Sequence, residues 1–414
     1  MRLKDIVQVN RCTLPETTSP DFWFKYVDIA SIDRLGVVNI PDQAVRFDSA
    51  PSRARRIAPP GSTVVSTVRT YLRAIAQVPQ GDEPLVFSTG FAVLEAKPAV
   101  DHRFLSYICQ SEPFVGEVVA RSVGVSYPAI NPGDLGSIIV ALPSLSDQRR
   151  IADFLDAETS RIDYLTSYSQ RQQRVLDEKF IESVRVGTTG VVGRRIPTGV
   201  QWMPEIQDGW TLRKVGREFK TSSGTTPNSE VEAYFDGPYP WVNSSDLPDG
   251  EIRVVERTVT KAALEAYPAL RVQPVGALII ALYGQGETKG RTGVLTSEAC
   301  LNQACCALIR VGRIVTEFAA FWFRAHKAGV ISLAYGAGQP NLSQELIRRL
   351  MIPVPDVELQ ELIVAQLRIE EAEYQVQSSA LAQRCELLAE RRQAIITAAV
   401  TGQIDVTTAR GVSA

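Results

Sequence analysis

The sequence contains no run of about 18 apolar residues, the length a helix needs to cross a bilayer. Its start, Met1-Arg2-Leu3-Lys4-Asp5, leads into no apolar secretory segment. A soluble, cytoplasmic protein is the expectation. Histidine is nearly absent: His102 and His326 stand far apart. Six cysteines are present, with Cys300, Cys305 and Cys306 close together, but none forms a Cys-x-x-Cys pair. That argues against a structural zinc site and for free thiols buried in a reducing compartment. Charge of one sign is also lacking. The net charge is −2 and the pI near 5.9, which excludes a protein that coats nucleic acid indiscriminately. Acids are missing from one stretch only: between Ser49 and Gly81 stand Arg53, Arg55, Arg56, Arg69 and Arg73 with no carboxylate among them, so one face of the first half is suited to phosphates.

Catalytic motifs are missing too. An adenine methyltransferase needs an Asx-Pro-Pro-aromatic motif beside a glycine-rich cofactor loop, and Asn131-Pro132-Gly133-Asp134 and Ala58-Pro59-Pro60-Gly61 both fail. A metal nuclease clusters carboxylates, whereas Asp28, Asp33 and Asp48 are scattered and read as turn or surface acids. The glycine-rich run Tyr283-Gly284-Gln285-Gly286-Glu287-Thr288-Lys289-Gly290-Arg291-Thr292 follows an apolar run, but Lys289 precedes Gly290, so the order a P-loop requires is absent. The chain reads as non-catalytic.

What is present is a repeat. With 414 residues, 45% of them hydrophobic and 22% charged, two globular units are expected. Setting Pro128 on Pro340 fixes a register that runs without a gap to Gly190 and Gly402. It matches Gly124 with Gly336, Pro143 with Pro355, Gln148 with Gln360, Ile151 with Ile363, Leu155 with Leu367, Glu158 with Glu370, Glu178 with Glu390 and Thr189 with Thr401. Upstream the match loosens: Tyr26-Val27-Asp28 answers Trp241-Val242-Asn243, and Gly61 to Val65 answers Gly276 to Ile280.

The matched segments, about 145–186 and 357–399, lack proline, and a proline-led turn precedes each. They read as long helices with an imperfect apolar seam: Ile151, Leu155, Ile162, Leu165 and Leu176 in the first, broken by Glu158, Ser169 and Gln172. The second has Ile363, Leu367, Tyr374, Leu381, Leu388 and Ile395. Each helix needs its twin. The remaining segments alternate short β-type runs (Phe24 to Ile29, Ser62 to Val68, Leu85 to Leu94, Leu278 to Tyr283, Cys305 to Val311) with helical ones (Phe104 to Ser111, Val315 to Ala328), which predicts α+β domains. The expected organisation is a globular domain over 1–145, a helix over 146–190, linker and second domain over 191–355, a helix over 356–403 and a tail over 404–414, with Thr188 to Pro204 as the linker. Tandem packing about a pseudo-twofold axis would set the helices antiparallel. About 40 helical residues at 1.5 Å each would hold the domains up to about 60 Å apart, more than the roughly 34 Å of one DNA turn.

Candidate DNA-reading residues follow from donor chemistry in loops. In the second half they are Tyr283, Gln285, Gly286, Thr288, Lys289 and Arg291, with Gln339 and Asn341 in a later turn. A solvated hairpin tip is the plainer alternative. The first half offers Arg69, Tyr71 and Arg73 in the equivalent place, then Arg121, Ser126 and Tyr127, beside Arg53, Arg55 and Arg56. Tyr71 serves equally well as a core residue. Lys220, Thr221, Ser223 and Thr225 are weaker, a generic polar turn.

The order of two divergent domains and two matching helices resembles the specificity subunit of Type I restriction-modification enzymes. The tail Leu388 to Ile404 is similar to the closing signature of that family, and Ser88 to Leu94 and Tyr283 to Arg291 are similar to blocks in its recognition domains. The resemblance implies two target-recognition domains, each reading one half of a split double-stranded DNA target. It implies helices that bind two methyltransferase subunits, which use S-adenosylmethionine to methylate adenine, and restriction subunits that use ATP and Mg. It implies no cofactor on this chain. A coiled-coil scaffold that binds only proteins is the rival, and it leaves the acid-free arginine stretch and the paired loops without a role. A third possibility compatible with the sequence is the same recognition module in a complex that methylates without a motor.

Overall fold

The computed structural model describes residues 1–33, 35–81, 85–190, 193–284, 286–334 and 341–406. It resolves into two compact units, Met1–Arg171 with Leu381–Ala414 and Gln172–Ala380. Each holds one mixed domain and a share of both long helices.

The first unit begins with a helical turn, α1 (Leu3–Ile6), and β1 (Val7–Val9), then β2 (Trp23–Val27), β3 (Val45–Arg46), β4 (Ala54–Ile57), β5 (Thr63–Ser66), β6 (Ile75–Gln77), β7 (Leu85–Ser88) and β8 (Phe91–Ala96). These form two sheets, ordered β1-β8-β5-β6 and β3-β2-β7-β4, with β2 and β7 parallel. The single β run expected over Leu85 to Leu94 is thus two strands in different sheets, broken at Thr89-Gly90. There α2 (His102–Gln110), α3 (Glu112–Ala120) and α4 (Pro132–Gly136) follow. Phe104, Leu105, Ile108, Phe114, Val115 and Val118 line one face of α2 and α3 and bury against Leu3, Val65, Ala92 and Leu94. Asp101 caps α2 by accepting from the backbone N–H of Arg103 and Phe104.

The second unit opens with β9 (Arg195–Val200) and β10 (Met203–Gln207), an antiparallel hairpin where a linker was expected. Met203 and Ile206 are buried and Ile196, Val200 and Trp202 pack on the same core, so this segment is part of the domain. The elements then run β11 (Thr211–Lys214), α6 (Val215–Glu218), β12 (Phe219–Ser223), β13 (Phe235–Val242), β14 (Gly250–Ile252), β15 (Thr258–Val259) and α7 (Lys261–Ala266). After them come β16 (Leu278–Ala281), β17 (Thr292–Leu295), β18 (Cys300–Leu301) and β19 (Cys305–Arg310). The main sheet is ordered β12-β19-β16-β17-β14. It reproduces the first unit's β1-β8-β5-β6, and the parallel pair of β13 and β18 reproduces β2 and β7.

The long helices are α5 (Leu145–Thr189) and, after α8 (Thr316–Ala325), α9 (Lys327–Ser332), α10 (Gln344–Arg349) and β20 (Met351–Val354), α11 (Val357–Val400). They pair antiparallel in both units. In the first, Ile151, Ala152 and Leu155 of α5 share a core with Ile396, Ala399 and Val400 of α11, and Arg392 sits 3.3 Å from Asp163. In the second, Phe180 stacks on Tyr374 at 4.7 Å and Val184 packs with Val364 and Leu367. The seam differs from the expected one. Leu165 is exposed, whereas Ser169 is fully buried, donating to the carbonyl of Leu165 and accepting from Arg384 Nε at 2.8 Å. Tyr374 donates to Asp177 at 2.8 Å and Gln173 to Ser378 at 3.0 Å, so hydrogen bonds join the helices beside the interruption expected at Ser169 and Gln172.

One buried residue does the same work in both copies. Gln148 accepts from the Asp101 N–H at 2.9 Å and donates to the carbonyls of Pro143 and Ala99. Gln360 accepts from the Val315 N–H at 2.8 Å and donates to those of Pro355 and Arg313. Each amide fastens the first turn of a long helix to the segment leading into α2 or α8, and satisfies backbone groups that water cannot reach.

Candidate nucleic-acid interface

In the first unit the connection from β5 to β6 carries Arg69, Tyr71 and Arg73. It is a 3₁₀ turn, Thr70–Leu72, flanked by two arginines in the left-handed region, Arg69 at φ 49° and Arg73 at φ 55°. Non-glycine residues there cost on the order of 1 kcal/mol each, and such strain concentrates at functional sites. The surroundings hold it: Ser66 Oγ donates to the Val68 carbonyl at 2.6 Å, and the Thr67 N–H donates to Gly90 at 2.8 Å. The Ile130 N–H donates to Thr67 at 2.9 Å, and the hydroxyls of Thr70 and Ser122 lie 2.8 Å apart. Two more loops are thereby tied in, the Thr89-Gly90 turn and the segment after α3.

That segment brings Tyr127 under Arg69, whose guanidinium lies 4.7 Å from the ring centroid. Tyr127, Ser126, Tyr71 and Arg69 are all exposed, so Tyr71 does not close the core. Arg53 is exposed on the same edge, its carbonyl accepting from the Thr89 N–H at 2.8 Å. The remaining arginines are engaged within the unit. Arg55 lies over Phe47 at 4.7 Å, and Arg56, its neighbour on β4, reaches Thr13 Oγ1 at 3.4 Å. Both stand where β4 shifts register against β7, an irregularity that interrupts the alternation of faces along the strand. Arg73 pairs with Glu112, and Arg121 braces Glu117 and Ser137, each at 2.7 Å.

In the second unit the β16–β17 connection stands where β5–β6 stands in the first. Its neck is closed by the Ala281 N–H on Arg291 O and the Gly290 N–H on Ala281 O, both 2.9 Å. Gly290 adopts φ 73°, the left-handed region that favours glycine, and a Cβ on Gly284 would lie 2.0 Å from Thr288 Oγ1, so a side chain there would displace the threonine. Lys327 Nζ holds the Glu287 carbonyl at 3.1 Å from α9. Tyr283 is half-buried against the domain core, and burial raises its phenol pKa. Gly286 opens the 3₁₀ turn Gly286–Thr288, Thr288, Lys289 and Arg291 are half-buried, and Asn341 is exposed next to Leu342, whose N–H donates to Leu282 O at 3.0 Å. Gln285 and Gln339 lie outside the described residues.

Lys220, Thr221 and Ser223 stand on β12, paired with β19, where a turn was expected, and Thr221 accepts from Gln344. Sequence reasoning passed over two places. Ser244 approaches the loop beside Gly284 from the turn after β13, held by the Asn243–Asp246 capping box. The matched pair Val27-Asp28 and Val242-Asn243 marked that turn. Val125, beside Ser126, is fully exposed.

No group of three or more His, Cys, Asp or Glu among the described residues is placed to hold a metal ion. Cys109, Cys300, Cys305 and Cys306 are buried free thiols; burial pushes Cys305 and Cys306 up to about 12. Cys12 and Cys385 are only half-buried. No described helix is long and apolar enough to cross a membrane.

The two units therefore share a frame and differ in the loops that crown it. A family model for the Type I restriction modification DNA specificity domain matches residues 1–171 and, a second time, residues 207–372. The chain belongs to this family. Among relatives of this specificity-domain chain is the Type I restriction enzyme MjaIX specificity subunit of Methanocaldococcus jannaschii, 24% identical over 281 residues. The match takes in 64% of this chain, which spans only 62% of that relative's length. Among solved structures, a chain described for complex assembly and conformational transition of the type I R-M system superposes with a TM-score of 0.71 at 23% identity, covering 98% of this chain and 97% of that one. It shares the fold. The HsdS subunit from Thermoanaerobacter tengcongensis gives a TM-score of 0.45 at 22% identity, over 98% of this chain and 96% of its own.

Proposed function

We propose that this chain is the non-catalytic, sequence-reading subunit of a Type I restriction-modification complex, working in the cytoplasm on double-stranded DNA. The observation that carries the reading is the contrast between copies. The buried glutamines and the sheet order agree, while the β5–β6 and β16–β17 loops differ in length, glycine content and donors. Like frames with unlike loops suit two different DNA words, so the target is bipartite and asymmetric. Arg53, Arg69, Lys289 and Arg291 supply cationic donors for phosphate or guanine, and Asn341 an amide for adenine.

The helices serve the partners. On α11, Leu362, Ile369 and Val376 recur every seven residues and are 68%, 57% and 72% exposed; on α5, Tyr164 and Tyr168 are also exposed. Large apolar groups in a row on a helix's outer face are the mark of a docking surface, here for two methyltransferase subunits, with restriction subunits joining that core. S-adenosylmethionine, ATP and Mg belong to those partners.

Co-expression with a methyltransferase subunit, followed by single-molecule mapping of methylated adenines, tests this. The expected result is methylation confined to one split motif, of which exchange of residues 1–145 alters one half. Methylation that is independent of this chain refutes the reading.

A further inference from the structure

We propose that Val125 reads a base: its methyl groups contact the 5-methyl of a thymine in the major groove of the half-site bound by the first domain. The inference rests on the DNA-reading role above. Val125 is 101% exposed, at the apex of a hairpin whose base is clamped. Val123 and Ala129 exchange backbone hydrogen bonds at 2.9 and 3.0 Å, Val68 bridges Ala129, and Ser122 meets Thr70. Gly124, at φ 117°, makes the reversal, and a Cβ there would crowd the Tyr127 carbonyl at 3.2 Å. The tip is therefore held out by the fold.

Its surroundings are mainly polar and cationic, with Val123, 81% exposed, the other aliphatic residue of the hairpin. Around the valine stand the Arg69–Tyr127 stack and exposed Ser126 and Tyr71. The acids of neighbouring α3 are neutralised, Glu112 by Arg73 and Glu117 by Arg121. An apolar tip inside a cationic and polar rim matches the one apolar feature that the major groove displays, the thymine methyl. A short, branched valine is poorly shaped to wedge between stacked bases, work that falls to Phe, Leu, Ile, Met or Pro.

The test uses the full chain in complex with its methyltransferase subunits and synthetic duplexes carrying the mapped target. Each thymine of the half-site is replaced in turn by deoxyuridine, which deletes one methyl and leaves every hydrogen-bonding group. At one position the wild-type complex should lose about fourfold in affinity, the size of one buried methyl. Val125→Ala should bind the native duplex several-fold more weakly and be indifferent to that replacement, with an unchanged melting temperature. Full tolerance of every deoxyuridine by the wild type, or an equal loss in Val125→Ala, overturns the assignment while the DNA-reading role stands. A wild-type complex that does not distinguish the target from a scrambled duplex overturns both.

Discussion

Gln360→Met keeps the length of the side chain and removes all of its hydrogen bonds. The Val315 N–H, at a residue 8% exposed, loses its acceptor, and the carbonyls of Pro355 and Arg313 each lose a donor. A buried N–H left unpaired costs about 1–3 kcal/mol, and each net hydrogen bond lost adds about 1. The bond to Arg313 is long at 3.4 Å and contributes little. The expected loss is thus about 2–4 kcal/mol, a large share of the 5–15 typical of a domain. Gln148→Met removes the same set, but the Asp101 N–H is only partly buried, so its loss falls at the lower end. The two sites share no partner, and their costs should add. Hydrogen exchange across a urea series reads each unit separately, which matters because two units need not unfold together. Gln366→Met, at an exposed position, is the control and should cost less than about 0.5 kcal/mol. Equal effects of Gln360→Met and Gln366→Met would refute the reasoning.

His326 is buried against Trp322 and Trp202, and burial pulls its pKa down to about 4. The unfolded chain binds the proton first, so stability is full above about pH 6.5 and falls by roughly 3 kcal/mol as pH drops toward 4; urea midpoints across that range should flatten in His326→Phe. Replacing Leu362, Ile369 and Val376 together by Asp should abolish co-purification with a methyltransferase subunit and leave the chain's melting temperature within a few degrees. Arg69→Ala should weaken target binding by about 1–3 kcal/mol if it grips a guanine, or lower the salt slope by about one if it grips a phosphate; no change in either removes it from the interface.

Legibility in the sequence followed the range of the interactions. The repeat register placed Gln148 on Gln360, and the two prove to make the same bonds, because both sit at a fixed distance after a proline-led turn. The helix seam was misread between Ile162 and Leu176, where hydrophobicity favoured Leu165. Ser169 stands on the same four-three spacing as Leu165, and what makes a buried serine tolerable is Arg384, a partner 215 residues away that periodicity cannot reveal. The segment from Thr188 to Pro204 was read as linker on its Gly and Pro content, yet the apolar residues of β9 and β10 were there to be counted. At the interface, the irregularity of β4 at Arg55 and Arg56 carries no local sequence signal. The pairing of Arg73 with Glu112, 39 residues on, does not follow from any local rule.

Where the copies disagree within their frame, the disagreement is ordered. Arg103, the second residue of α2, grips Asp153 and Asp156 of α5 at 2.8 and 2.7 Å; Glu317, the second residue of α8, meets Arg368 of α11 at 3.2 Å. Asp156 and Arg368 are repeat equivalents, so the same joint carries opposite charge in the two units. These groups are partly exposed, and such pairs contribute at most about 1 kcal/mol each. They cannot be what holds a domain to its helix; the shared, buried glutamine is the stronger tie. Their sign matters instead for discrimination. A second domain seated on the first helix would set Glu317 against Asp153 and Asp156, and a first domain on the second helix would set Arg103 against Arg368. The buried glutamine ties each domain to its helix in both units, while the more exposed ion pair at the same joint carries opposite sign in the two.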